Sequence, residues 1–191
     1  MSTKPWADPI LGTQPVDAPG LVDAILGAND LMVASMNEAK GNLGMGSTIA
    51  TVLIHEDGIV VANVGDSPVL ELADGRLHHL TIDDSPAVAG MGLPRLPTSL
   101  VTQTIGGHTR LVHIQVHVHE DDLPPPRRLL LCSDGLTSYV PRAQIAAVLS
   151  TATTPADAVE QLIGDALEAG GRDNVTVVVL DIGLHDPPPD A

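Results

Sequence analysis

RLLLCSDGL at positions 128–136 and GGRDNVTVVVL at positions 170–180 decide how this chain reads. Each holds a short apolar strand with an aspartate at one end: Asp134 after the leucines at 129–131 and Cys132, and Asp173 ahead of the run 175–180. Gly135 follows the first acid and Gly170-Gly171 precede the second, so backbone can approach a bound ion closely at both places. Hard cations such as Mg²⁺ and Mn²⁺ take oxygen ligands and keep several waters, so two or three carboxylates can make a site. The two aspartates are therefore the first candidates for a metal centre.

Working outward, the 191 residues suit one domain with a sizeable core. Phe is absent and the only aromatic residues are Trp6 and Tyr139, so that core is built from Val, Leu, Ile and Ala. A net charge of −15 argues against a nucleic-acid partner, which needs a basic face. The lone Cys132 excludes an internal disulfide, suits a reducing compartment, and reads as a buried structural thiol. There is no signal-peptide h-region and no apolar run long enough to cross a bilayer, so the expectation is a cytoplasmic protein without a membrane partner.

The proline-bearing residues 1–18 read as an irregular leader, 19–183 as the domain and 184–191 as a disordered tail. A helical stripe runs through Leu21, Ile25, Ala28, Leu31, Met32, Ser35 and Met36, ending at the 41–44 Gly-Asn-Leu-Gly cluster. Runs 47–54 and 59–64 form one hairpin, 68–72 and 76–80 a second, and 81–100 a surface loop. Residues 110–119 alternate, with Val112, Ile114, Val116 and Val118 inward and His113, Gln115, His117 and His119 on a solvated outer face. Pro141 and Pro155 each suit the first turn of a helix. In the second of these helices Val159, Leu162, Ile163 and Leu167 form a stripe that Gly170-Gly171 closes. Antiparallel strands in runs with helices grouped in sequence indicate an α+β layered domain.

Taken singly, these acids have plainer explanations. Asp134 and Asp173 suit a turn or a helix cap, and Asp66, before Ser67-Pro68, suits a turn. Asp83 and Asp84 open a loop and suit local backbone hydrogen bonds. Ser133 lacks a paired base and is not read as a nucleophile.

Six motifs occur in order: MGST at 45–48, VGDS at 64–67, TIDDS at 81–85, TQTIGG at 102–107, CSDGL at 132–136 and GRDNVT at 171–176. Together, over roughly residues 20–182, they resemble the metal-dependent protein serine/threonine phosphatases of the PPM type, the protein phosphatase 2C-like family. The resemblance implies a four-layer αββα sandwich of two antiparallel sheets flanked by helices, incomplete at the N-terminus. It implies two Mg²⁺ or Mn²⁺ ions and a weaker third. Asp134 and Asp173 would bind the second metal, and Asp83 with Asp134 the third. Gly135 and Asn174 would shape the turns beside the ligands, and Asp66 would sit near the centre with no ligand role. The implied reaction is hydrolysis of phosphoserine or phosphothreonine by water bridging the ions, on a phosphoprotein substrate, with a serine/threonine kinase as a companion.

The sequence departs from the family in one important respect. The family's Asp-Gly-x-Gly-Gly segment and its phosphate-gripping Arg have no counterpart ahead of the first helix. In addition, Pro68 and Asp84 stand where the family usually has Arg and His. The chain is thus expected to lack the N-terminal part of the domain, with weak metal binding and poor or no turnover on its own. The alternative is a non-catalytic pseudophosphatase that binds a phosphoprotein or kinase partner.

Overall fold

The computed structural model describes residues 17–38, 44–55, 58–86, 100–108, 110, 112–122 and 126–183. Most of the expected leader and the whole expected tail lie outside them. In chain order the elements are α1 (Ala18–Glu38), β1 (Gly46–Ser47), β2 (Ile49–Ile54), β3 (Gly58–Val64), β4 (Val69–Ala73), β5 (Arg76–His79), β6 (Ile105–Gly106), β7 (His117–Asp122), β8 (Arg127–Cys132), α2 (Asp134–Thr137), α3 (Arg142–Thr151), α4 (Pro155–Glu168) and β9 (Val177–Ile182).

The strands form a three-stranded sheet ordered β2-β3-β7, a four-stranded sheet ordered β5-β4-β8-β9, and a small β1-β6 pair, all antiparallel. Strand alternation sends successive side chains to opposite faces, and three apolar layers result. Ile59, Val61, Val69 and Leu129 fill the space between the sheets. Ile25, Ala62, Val64 and Ile105 join α1 to the three-stranded sheet. Leu70, Leu130, Cys132, Ile145, Leu149 and Leu162 join the four-stranded sheet to α3 and α4. Helix, sheet, sheet, helix: the expected αββα order is the observed one.

Local chemistry explains the boundaries. Asp17 caps α1, its Oδ1 accepting from Gly20 N at 2.9 Å. The second hairpin turns at Asp74 and Gly75, both with positive φ (50° and 69°), the pair of left-handed residues that a two-residue hairpin turn requires. Thr154 and Asp157 form a capping box ahead of α4, with Pro155 in its first turn as expected. Arg128 binds both oxygens of Asp181 at 2.6 and 2.7 Å and donates to the carbonyls of Leu149 and Ala152, fastening the end of α3 to the sheet.

Four sequence expectations need correction. The stripe of α1 runs through Ala18, Ile25, Asn29, Val33 and Met36, while Leu31 is 74% exposed. Asn29 takes a core position because its Oδ1 accepts from Gly106 N at 3.0 Å. In α4 the buried residues are Ala158, Leu162 and Ala166, and Leu167 is exposed, because close approach to the sheet favours the small side chains. The run 47–54 breaks at Thr48, whose hydroxyl binds that of Ser67 at 2.9 Å. Finally, residues 112–116 stand outside the ladder. β7 places His117 opposite Asn63 and His119 opposite Val61, on the face turned to the other sheet, while Val118 is exposed. His117 and His119 thus face the other sheet, where Asp84 meets His117, while Ile114 and Val116 pack in the α1 layer as expected.

Leu129, fully buried between the sheets, should cost about 2–5 kcal/mol in urea unfolding when changed to Ala. Leu31→Ala on the exposed face of α1 should change stability by no more than about 0.5 kcal/mol.

Candidate metal centre

β8 and β9 are neighbours, and a serine locks their ends together at the CSDG turn. Ser133 N donates to Thr176 O at 3.1 Å, and Ser133 Oγ accepts from Thr176 N at 3.0 Å. The same hydroxyl donates to Asn174 O at 3.1 Å. Asn174 N in turn donates to Asp173 Oδ1 at 2.7 Å, a local turn that sets the aspartate's direction. Asp134 opens α2, and Gly135 behind it is buried. A Cβ on Gly135 would lie 2.2 Å from Asn174 O and 3.4 Å from Asp173 Cβ, so only glycine lets the two loops meet. Asp134 and Asp173 thus stand on adjoining loops at one end of the β8–β9 pair.

Two more segments bring acids to the same end. Asp66 follows β3, and Asp83 and Asp84 follow β5. Asn63 fixes the second segment by donating to Ile82 O at 2.7 Å. Asp84 is buried and saturated: it accepts from Gly65 N at 2.8 Å and Gln103 Nε2 at 2.7 Å, and meets His117 Nε2 at 2.9 Å. Its role is to hold the loops. Asp83 differs, because its Oδ1 is buried without a hydrogen-bond partner among the described residues.

The electrostatics follow this geometry. Burial and then the charge of Asp134 push the Asp66 carboxyl above its ordinary 3.8, its own backbone hydrogen bond opposes the rise, and Asp83 and Asp84 add to it. Burial also raises Asp83, with the Arg142 guanidinium pulling it back down and Asp84 adding to the rise. Arg142 is held beside this segment by Leu77 O at 3.1 Å and by the His79 ring. Burial, aided by Asp83 and Asp134, pushes the Cys132 thiol up to about 12, so it is a structural thiol.

Of the residues singled out in the sequence, Asp134, Gly135, Asp173 and Asn174 are packed together, and Asp66 and Asp83 lie within charge range of that group or of one another. No group of three or more His, Cys, Asp or Glu among the described residues is drawn tightly enough to hold an ion by itself. Sequence reasoning left Asp84, Gln103 and His117 without a role in the network. The only available signal was that Asp84 and Gln103 fall inside quoted motifs, since the partner histidine is 33 residues away.

A family model described as protein phosphatase 2C matches residues 24–169. The chain belongs to the protein phosphatase 2C family. It is 30% identical over 175 residues to serine/threonine protein phosphatase PstP of Mycobacterium tuberculosis, covering 86% of this chain and 33% of the relative. It is likewise 30% identical to serine/threonine phosphatase stp of Listeria innocua, covering 74% and 58%. This chain therefore spans a third to somewhat over half of these curated relatives. Among solved structures, the PPM Ser-Thr phosphatase MsPP of Mycobacterium smegmatis, in complex with cacodylate, superposes with a TM-score of 0.74. The two are 35% identical, over 87% of this chain and 75% of that one. The catalytic domain of PstP in complex with two manganese ions gives a TM-score of 0.72 at 29% identity, over 88% and 71%.

Two expectations follow for the protein phosphatase 2C fold of this chain. Gly135→Ala should lower stability by at least about 1–3 kcal/mol in chemical denaturation, since the methyl group meets backbone rather than a movable side chain. Asp66 has a folded pKa above its unfolded one, so the folded state binds more protons and stability falls as pH rises through that interval. With chelator present, Asp66→Asn should therefore melt higher than the parent at pH 7. The difference should vanish below the ordinary 3.8, where both states are protonated.

Proposed function

We propose that this chain carries the cleft of a metal-dependent protein serine/threonine phosphatase, with Asp134 and Asp173 as ligands of one divalent ion and Asp83, with Asp134, as ligands of a further one. The observation that carries this is geometric: Ser133 and Gly135 hold Asp134 beside Asp173 on adjoining loops, with Asp83 offering an unpartnered oxygen at the same end. A buried Asp83 oxygen without a hydrogen-bond partner among the described residues is an acceptor that a cation could complete. The two manganese ions of the PstP catalytic domain agree with that donor chemistry.

Bound Mg²⁺ or Mn²⁺ would supply Lewis acidity toward phosphoryl oxygens and acidify water. This chain's own residues do the positioning. Ser133 and Gly135 hold Asp134 beside Asp173, Asn174 fixes the direction of Asp173, and Asp84 ties the Asp83 segment to β7. Asp66 keeps the acids' field strong without serving as a ligand. The substrate class is a phosphoserine- or phosphothreonine-bearing protein, supported by the names of the relatives. A serine/threonine kinase is the companion this chemistry would oppose. The cytoplasm is the compartment that suits a single reduced, buried thiol. The domain spans 19–183 on this reading, with its first helix starting at Ala18.

The experiment is Mn²⁺ titration calorimetry with thermal melts, alongside hydrolysis of a phosphothreonine peptide. Mn²⁺ at about 100 times its Kd should stabilise the chain by about 2.7 kcal/mol. Asp134→Asn and Asp173→Asn should each remove most of that gain, and any turnover should vanish with them. Stabilisation and turnover that survive both changes would defeat the assignment.

A further inference from the structure

Cations are scarce in this chain, nine Lys and Arg against 24 Asp and Glu, so the place of each one is informative. Arg127 is taken up by Glu71 and Asp121, and Arg128 by Asp181. Arg142 has no such carboxylate partner among the described residues. Its guanidinium is propped instead against the edge of the four-stranded sheet: Nη1 donates to the His79 ring, and Nη2 donates to Leu77 O at 3.1 Å, both on β5. Burial and then the Arg142 charge push the His79 imidazole below its ordinary 6.5, so the ring is neutral at pH 7 and its Nε2 accepts. A guanidinium carries five N–H donors in a rigid plane, and these two contacts leave three without a protein partner among the described residues. Helix chemistry does not account for the residue's place. Arg142 opens α3, where positive charge opposes the helix dipole, and the first turn holds no acid to offset it. Its charge does reach the acid-bearing end, where it lowers Asp83, yet no ion pair joins the two. Arg172, beside Asp173 in sequence, is turned back on Gly170, where an added Cβ would lie 3.3 Å from its Nε.

We propose that Arg142 grips an oxyanion of the incoming phosphoprotein at the rim of the candidate metal centre. The inference rests on the metal-centre reading, because acids without cations would repel such a substrate. A tether between α3 and β5 needs a hydrogen bond and no charge. A rigid cation held within charge range of Asp83, with donors to spare, suits an anion arriving from outside. Phosphoryl groups and carboxylates both present two oxygens in the spacing that a guanidinium fork matches. Two sources of that chemistry exist in one substrate: the scissile phosphoryl group, and an acidic side chain next to the phosphoresidue. His79 and Leu77 fix the fork before substrate arrives, so little side-chain freedom is lost on binding.

The test uses the full chain in saturating Mn²⁺ and two fluorescent peptides that carry a non-hydrolysable phosphonate in place of phosphothreonine. One peptide is flanked by alanines and the other by glutamates, and anisotropy reads binding without turnover. Arg142→Gln should weaken binding about tenfold, the scale of one charge-assisted hydrogen bond. Equal loss on both peptides assigns the fork to the phosphoryl oxygens, and loss on the glutamate-flanked peptide alone assigns it to the neighbouring carboxylate. Arg142→Lys, which keeps the charge without the fork, should recover part of the loss. Arg76→Gln, at the far turn of the β5 hairpin, should leave binding unchanged. Mn²⁺ affinity by calorimetry should not fall in Arg142→Gln, since a positive charge near Asp83 has been removed. Unchanged binding of both peptides, or equal weakening by Arg76→Gln, would overturn the proposal. So would a loss that only accompanies lower Mn²⁺ affinity or a lower melting temperature, since Arg142 would then be a tether. A parent chain that takes up Mn²⁺ but binds neither peptide overturns it as well. A parent that takes up no Mn²⁺ defeats the metal-centre reading itself, so the two failures are told apart.

Discussion

One hydroxyl group ties the acid-bearing end of this domain together. Ser133 Oγ accepts from Thr176 N and donates to Asn174 O, so the exit of β8 and the approach to β9 cannot separate. Gly135 allows that closeness by presenting no Cβ to the Asn174 carbonyl. Remove either condition and Asp134 and Asp173 lose their common position, whatever the rest of the sandwich does. The geometry of this end is a consequence of strand pairing: β8 and β9 run side by side in register from Arg127–Ile182 to Cys132–Val177, and the acids sit where that register ends.

The second set of acids depends on a different kind of bond. Asp66, Asp83 and Asp84 reach the site on loops, and loops need tethers. Asp84 supplies them by gathering Gly65 N, Gln103 Nε2 and His117 Nε2 around one carboxylate, joining three segments that are far apart in sequence. A fully bonded buried carboxylate such as this rigidifies its surroundings. Asp83 next to it keeps an oxygen free of protein partners. Neighbouring residues of the same type thus divide the work, one structural and one available.

How much of this the sequence discloses depends on how local the deciding interaction is. The hairpins, β8, the Pro155 helix start and the Gly170-Gly171 stop are legible because turn chemistry and capping act within a few residues. So is the layered fold, since apolar runs separated by turns leave few other arrangements. The inner position of His117 is not legible. Alternation over 110–119 says that two faces differ; that His117 also turns inward is decided by Asp84, brought there by the tertiary fold. The stripe on α1 holds at Leu21, Ile25, Met32 and Met36 but misses Asn29, which looks like a surface residue until Gly106 N arrives to bond it. In the site, Asp134 and Asp173 stand out because each ends an apolar strand beside glycine. Nothing local marks Asp84 as the hub.

The proposed centre gathers acids from four separate loops into one ion-binding place at the end of the two sheets. Paramagnetic broadening by substoichiometric Mn²⁺ in a backbone NMR spectrum tests it most directly. The account predicts that amides near 66, 83–85, 133–135 and 172–175 broaden first and together, ahead of α4 and the β5 hairpin. Broadening confined to one of these loops, or centred on another part of the surface, would contradict it.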